Sequence, residues 1–285
     1  MNRNPPRSFF SACRTALGIL AALALAPFVS AASIDQALVA YDSGKFGQAG
    51  ELLKAMEDRD ARAAGMTCEL LVRKLLPPDD ERGQKSCDLA LREHDPHGLM
   101  WRGLAGGPGM ATLGYPPNEA VSLGPLAEAA ELGYPLAFGR LCERFYRKAE
   151  FQKAVPFCKF AASKDLPEGL YYFGLMLLEG KGVVQDFKKG IMGLMLSAQL
   201  NYAPAFAKLA DIARSGSYGA PKDTTKAYAW LLLATAADPD SKDLATAKGA
   251  LAEQIGEGSV AAAQKNAATW KLRPAPTSRD FYTSE

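Results

Sequence analysis

Residues able to do chemistry are few in this chain. His94 and His97 are the only histidines, in Glu93-His94-Asp95-Pro96-His97, and a His-x-x-His spacing brings two imidazoles within reach of one metal ion or one proton-transfer step. Spacing marks no third ligand, so no metal site is assigned. For a nucleophile, neither S-x-x-K, S-D-N nor K-T-G occurs, and these are the sets that activate a serine in one large hydrolase class. Ser215-Gly216-Ser217-Tyr218-Gly219 lacks the first glycine of a nucleophile elbow and follows a helical pattern instead of a strand, so it reads as a turn. Gly180-Lys181-Gly182 has the lysine of a phosphate loop but the wrong spacing, with Gly182 where Ser or Thr is required, and Gly107-Pro108-Gly109-Met110-Ala111-Thr112 fails at its third glycine. Both read as turns. The chain is therefore read as a non-enzyme with no catalytic, cofactor-binding or metal-binding residue.

The remaining reactive side chains are cysteines, and their chemistry depends on compartment. Residues 1–32 place Arg3, Arg7 and Arg14 before an apolar run from Leu17 to Phe28, then Ser30, Ala31 and Ala32. This order predicts a secretory signal peptide cut after Ala31 or Ala32. The run is shorter than the roughly 20 residues a spanning helix needs, and Cys13 precedes it, which argues against a lipid anchor. Cleavage leaves no membrane anchor and turns the formal charge of +2 slightly negative, because the three leader arginines are lost. No basic patch with interleaved aromatics supports nucleic-acid binding. At 48% hydrophobic and 22% charged, the composition suits a packed soluble protein, expected in the periplasm or outside the cell. Cys68, Cys87, Cys142 and Cys158 remain, an even number where disulfides persist.

The elements that position these residues follow from a repeat. Residues 169–198 read as helix, Gly-x-Gly-Val turn, helix, with small residues at fixed places. Gly180 sits where a helix end takes positive φ, and Asp186 where the next helix wants a capping oxygen. The same small positions recur in the first helix at Ala63/Cys68, Gly98/Gly103, Ala137/Cys142, Gly169/Gly174 and Ala205/Ala210. In the second helix they recur at Gly83, Ser122, Ala154, Gly190 and Ala227, and seven residues on at Ala90, Ala129, Ala161, Ser197 and Ala234. Four residues before each second-helix position stand Asp79, Asn118, Glu150, Asp186 and Asp223. The five units repeat every 32 to 39 residues, the period of a two-helix solenoid. The fold class is therefore all-α, an α/α solenoid.

The expected division is a leader at 1–32, an N-terminal helical hairpin resembling a tetratricopeptide unit at 33–60, five repeats at 61–236, capping helices at 237–273, and a loose tail at 274–285. Helical runs at 241–254 and 259–272 are expected in the cap, with Ala263, Ala267 and Trp270 as an apolar stripe. Cys68 and Cys142 hold one register, while Cys87 and Cys158 each lie four residues past the second-helix small position. Two pairs sharing one geometry predict Cys68–Cys87 and Cys142–Cys158, with Cα separations near 5.5–6 Å.

Phe173-Gly174 followed by Gly180, Gly182 and Val183, then Asp186 and Lys189, and Asp223, Lys226, Ala227 and Trp230 in the next unit, resemble the Sel1-like repeat, a relative of the tetratricopeptide repeat. The resemblance covers roughly 61–235. Unit three departs from it at Tyr146–Glu150, where the Gly-x-Gly-Val turn is missing, and unit two has an enlarged turn at 106–117. Ala227–Ala236 followed by Trp270, and the paired cysteines, are similar to exported, cysteine-containing members. The resemblance implies a right-handed superhelix whose first helices line a concave surface that binds a protein partner. It also implies a range of roles: periplasmic scaffold or adaptor, immunity protein neutralising a secreted toxic effector, or a hydrolase of the β-lactamase type. In register, the first-helix residues for such a surface are Arg140 and Arg144, Tyr172 and Met176, and Lys208 and Ile212. The same spacing also serves packing on the neighbouring helix, and the sequence leaves both open. The turn at 106–117 is a second candidate contact.

Overall fold

The computed structural model describes residues 33–104, 119–274 and 276–277. The predicted signal peptide, the enlarged turn at 106–117, Asn118 and the tail beyond 277 lie outside the described residues. Thirteen helices and no strand occur among the described residues. In chain order they are α1 (Ile34–Asp42), α2 (Phe46–Lys54), α3 (Ala61–Val72), α4 (Asp80–Arg92), α5 (Pro96–Gly103), α6 (Glu119–Glu131) and α7 (Pro135–Arg147). They continue with α8 (Phe151–Ser163), α9 (Pro167–Glu179), α10 (Phe187–Gln199), α11 (Ala203–Ser215), α12 (Thr224–Ala237) and α13 (Lys242–Ala268). From α3 to α12 they form five hairpins, and first helices pack on first helices, as α3 on α5 and α7 on α9.

Two kinds of turn punctuate the array. Between hairpins, one residue takes positive φ (His94, Gly133, Asp165, Asn201), the next is extended (Asp95, Tyr134, Leu166, Tyr202), and a proline opens the new helix (Pro96, Pro135, Pro167, and Pro204 one position later). Proline presets helical φ at the first turn, where its missing N–H costs nothing, and at Pro96, Pro135 and Pro167 it favours the extended backbone of the preceding residue. Within hairpins, Lys74, Ala149, Gly180 and Gly216 take the positive φ. Asp79, Asp186 and Asp223 then cap the second helices by accepting from the backbone N–H groups of Arg82, Lys189 and Lys226. Glu150 holds the same position without a side-chain cap bond.

The small residues divide into two sets with different work. Within a hairpin, a Cβ on Gly174 would meet the Gly190 carbonyl at 3.0 Å. Between hairpins, a Cβ on Gly169 would overlap both the side chain and the backbone of Ala161, and one on Gly98 would overlap Ala90. Ala63, Ala137 and Ala205 fill the position of Gly98 and Gly169 elsewhere and are fully buried. Ser197 is the polar exception in its register, and its hydroxyl donates to the Pro167 carbonyl at 2.7 Å.

The cysteines lie on these close approaches. Cys68–Cys87 and Cys142–Cys158 form, with Cα separations of 4.9 and 4.7 Å. These are shorter than the expected 5.5–6 Å because both ends sit where the paired helices touch. Where a later hairpin has Gly174 in place of a cysteine, Leu194 stands four residues past Gly190 and packs there, fully buried.

At the C-terminal end, α13 consists of two helical arms that meet at Gly256, whose φ of 75° and ψ of 162° are non-helical, in line with the two expected runs, although the second arm ends at Ala268 instead of 272. Trp270 follows it and meets Trp230 edge-on at 4.9 Å and Phe206 at 6.1 Å. Arg273 then donates its backbone N–H to Gln199 (2.7 Å) and its guanidinium to Asp165 (2.9 Å), tying the chain back to the fourth hairpin.

Two stability outcomes follow from this packing. Gly169→Val should destabilise by about 1–3 kcal/mol through overpacking. Gly249→Ala, whose Cβ meets nothing within 4 Å, should be neutral or stabilising by up to about 1 kcal/mol; urea unfolding followed by circular dichroism separates the two. Replacing Cys142 and Cys158 together by alanine should cost about 3 kcal/mol for a loop of this size. Reductant should lower the wild type further than the variant, since only the wild type retains this bridge to lose.

Candidate functional site

Each disulfide hairpin carries the same local sequence on its first helix: Cys68-Glu69 with Arg73, and Cys142-Glu143 with Arg147. A Cys-Glu-x-x-x-Arg run puts the carboxylate next to the stapled position and the guanidinium one helical turn on, within ion-pair reach. The hairpins bring these two sites to equivalent places on the face presented by the first helices.

The Glu69 site is closed. Its carboxylate accepts from the Tyr41 hydroxyl (2.6 Å) and from Arg73 (2.7 Å) on one oxygen, and is paired with His97 Nε2 on the other. His97 Nδ1 bonds the Tyr134 hydroxyl at 2.7 Å, so α1, α3, α5 and the start of α7 meet at one buried polar cluster. Burial pushes the Glu69 carboxyl up, but attraction to His97 and the bonds from His97, Tyr41 and Arg73 outweigh it and hold the group at about 2. Burial, then the Glu69 charge, raises the Tyr41 hydroxyl, and burial likewise raises Tyr134. Asp95 caps α5 through the Gly98 N–H, and burial raises its carboxyl. A second enclosed pair lies beside it, where Arg82 grips both oxygens of Glu57 (2.6 and 2.7 Å) and Thr67 donates to the same carboxylate.

The Glu143 site is open. One carboxylate oxygen accepts from Arg147 (2.9 Å) and the Tyr172 hydroxyl (3.1 Å). The other has only Arg140 at 3.5 Å, and Arg140 also lies 3.6 Å from Glu168. The Glu143 side chain is 22% exposed against 6% for Glu69, and Arg140 is 38% exposed. Around it runs a ladder of tyrosines: Tyr146 on Tyr172 (5.0 Å), Tyr172 on Tyr171 (4.9 Å) and Tyr171 on Tyr202 (5.4 Å). Burial raises the Tyr172 hydroxyl to about 12 and raises those of Tyr146, Tyr171 and Tyr202. Tyr171 and Tyr202 are half-buried.

The residues assigned in register fare unequally. Arg140 and Lys208 reach the surface, Lys208 lying 5.8 Å from the Tyr218 ring centre. Arg144 turns back to donate to Ser122 Oγ at 2.8 Å, against the preceding hairpin. Met176 and Ile212 are buried, as is Tyr172 apart from its hydroxyl bond, so these three pack between helices and present no surface to a partner. The histidines are not brought together: exposed His94 pairs with half-buried Glu128 while His97 is enclosed. No group of three His, Cys, Asp or Glu arranged for a metal occurs among the described residues. Gly180 and Gly216 end α9 and α11 in left-handed conformation, and Ser215 bonds the Asp211 carbonyl and Ser217, so both glycine motifs are helix junctions.

No family model matches the sequence, and no curated protein matches it significantly. Solved structures do match. A protective antigen of uropathogenic Escherichia coli with an SLR fold aligns at TM-score 0.58 and 19% identity, over 87% of this chain. This chain covers 58% of that structure's length. This is a Sel1-like repeat fold. A Sel1 repeat protein from Oxalobacter formigenes aligns at TM-score 0.56 and 20% identity, over 70% of this chain and 83% of its own. Within the Sel1-like architecture the two acidic sites fall on first helices, which sequence register alone did not reveal, although the repeated Cys-Glu-x-x-x-Arg was there to be read.

The closed site predicts a pH dependence. Glu69 is held below its ordinary value of 4.5, so the folded state keeps it ionised where the unfolded chain takes up a proton. Its contribution is fully present above about pH 4.5 and is lost as pH falls through about 2. The difference in melting temperature between wild type and Glu69→Gln should be constant above pH 5 and shrink toward pH 2.

Proposed function

We propose that this chain is an exported scaffold or adaptor that binds a protein partner across its first-helix face, in the periplasm or outside the cell. The observation that carries the reading is the contrast between the two Cys-Glu-x-x-x-Arg sites. The N-terminal one is sealed by the chain's own residues, while the other presents half-buried tyrosines and a loosely held arginine to solvent. Aromatic rings and arginines are the residues that dominate protein recognition energetics. Two buried disulfides support an oxidising compartment, and the arginine-led apolar leader supports export.

A photo-cross-linking amino acid placed at position 140 or 207 on the first-helix face, and at 192 on the exposed side of α10, tests the proposal in cell-envelope extracts. Positions 140 and 207 should trap the same discrete product, 192 should not, and Tyr171→Ala should weaken the product severalfold. Equal or stronger trapping from 192 would move the interface to the second helices.

A further inference from the structure

The Glu143 site differs from its closed counterpart in what stands opposite. In the N-terminal site the residue just before the next hairpin's first small position is His97, and its imidazole completes the bonding of Glu69. In the Glu143 site the equivalent residue is Glu168. Two carboxylates therefore face one gap, and the chain's own Arg140 fills it poorly, at 3.5 and 3.6 Å from the two. Charge-assisted N–H···O bonds settle at about 2.7–2.9 Å, so this guanidinium bridges its two acceptors only through long, weak ion pairs. Half-buried Tyr202, edge-on to Tyr171, lies close enough to feel the charges of both Glu143 and Glu168, and an aromatic face attracts cations. The hydroxyls of Tyr171 and Tyr202 have no hydrogen-bond partner among the described residues.

We propose that the seat between Glu143 and Glu168 receives a basic side chain of the bound partner, a guanidinium, ammonium or imidazolium, which displaces Arg140 into solvent. The inference rests on the scaffold reading and names the partner chemistry at its centre. Arg147 stays on the far oxygen of Glu143 and does not contest the seat. Arg140 is thus a placeholder that competes with the ligand, and this fixes the sign of its mutational effect. An acidic ligand would use Arg140 as its anchor, whereas a basic one binds better without it.

The test is an NMR titration of the full chain carrying labelled tyrosine rings, with end-blocked pentapeptides that present Arg, Lys, His or Glu between glycines. Basic peptides should shift the Tyr171 and Tyr202 signals saturably, and the Glu peptide should not. Glu143→Gln and Glu168→Gln, at side chains that are already part exposed, should each weaken binding about tenfold, while Arg140→Ala should tighten it severalfold. Absence of saturable shifts with every basic peptide, preference for the Glu peptide, or weakening by Arg140→Ala overturns the proposal. If position 140 still traps a partner while basic peptides fail to bind, the scaffold reading stands and this inference falls.

Discussion

Close backbone approach at each junction is the constraint on which the structure depends. Gly169 lies against Ala161, and Gly98 against Ala90, with no room for a further carbon. A larger side chain at either place would tilt every hairpin beyond it, because each stacks only on its neighbour. That contact brings the first helices side by side and fixes which side chains meet across hairpins. The polar clusters are its product: Glu69 reaches His97, and Glu143 reaches Tyr172, only because adjacent first helices are held at that spacing.

The same constraint explains how one local motif has two outcomes. Cys68-Glu69 and Cys142-Glu143 share one local pattern on their own helices, each with an arginine one turn later. Neighbouring hairpins then decide. Tyr41 and His97 arrive from either side of Glu69 and enclose it, which is tolerable for a charge only because both carboxylate oxygens are bonded. Glu168 arrives beside Glu143 and prevents enclosure, since two carboxylates and one loosely placed guanidinium cannot be taken out of water together.

Much of this was legible because it is written in residue size. The hairpin registers, the aspartate caps and the cysteine pairing each need only the knowledge that two helices touch at small residues. Rotation of a helix about its own axis is different. Tyr172 shares a register with the surface residues Arg140 and Lys208, yet it turns inward, as Met176 and Ile212 do in the register of Arg144, because a few tens of degrees decide between groove and core and no spacing rule encodes that. The Glu69–His97 pair spans 28 residues and depends on which hairpins stack, so no local pattern announces it. Gly256, by contrast, was legible as a break, because its φ of 75° and ψ of 162° lie outside the helical region and a glycine reaches them without strain.

Both covalent bridges lie inside hairpins, and neither crosses from one unit to the next. Each of these two stapled hairpins is therefore a stiff element, while the joints between hairpins are held by packing and hydrogen bonds alone. The two bridges thus resist parting the arms of their own hairpins and leave the angle between one unit and the next to non-covalent contacts.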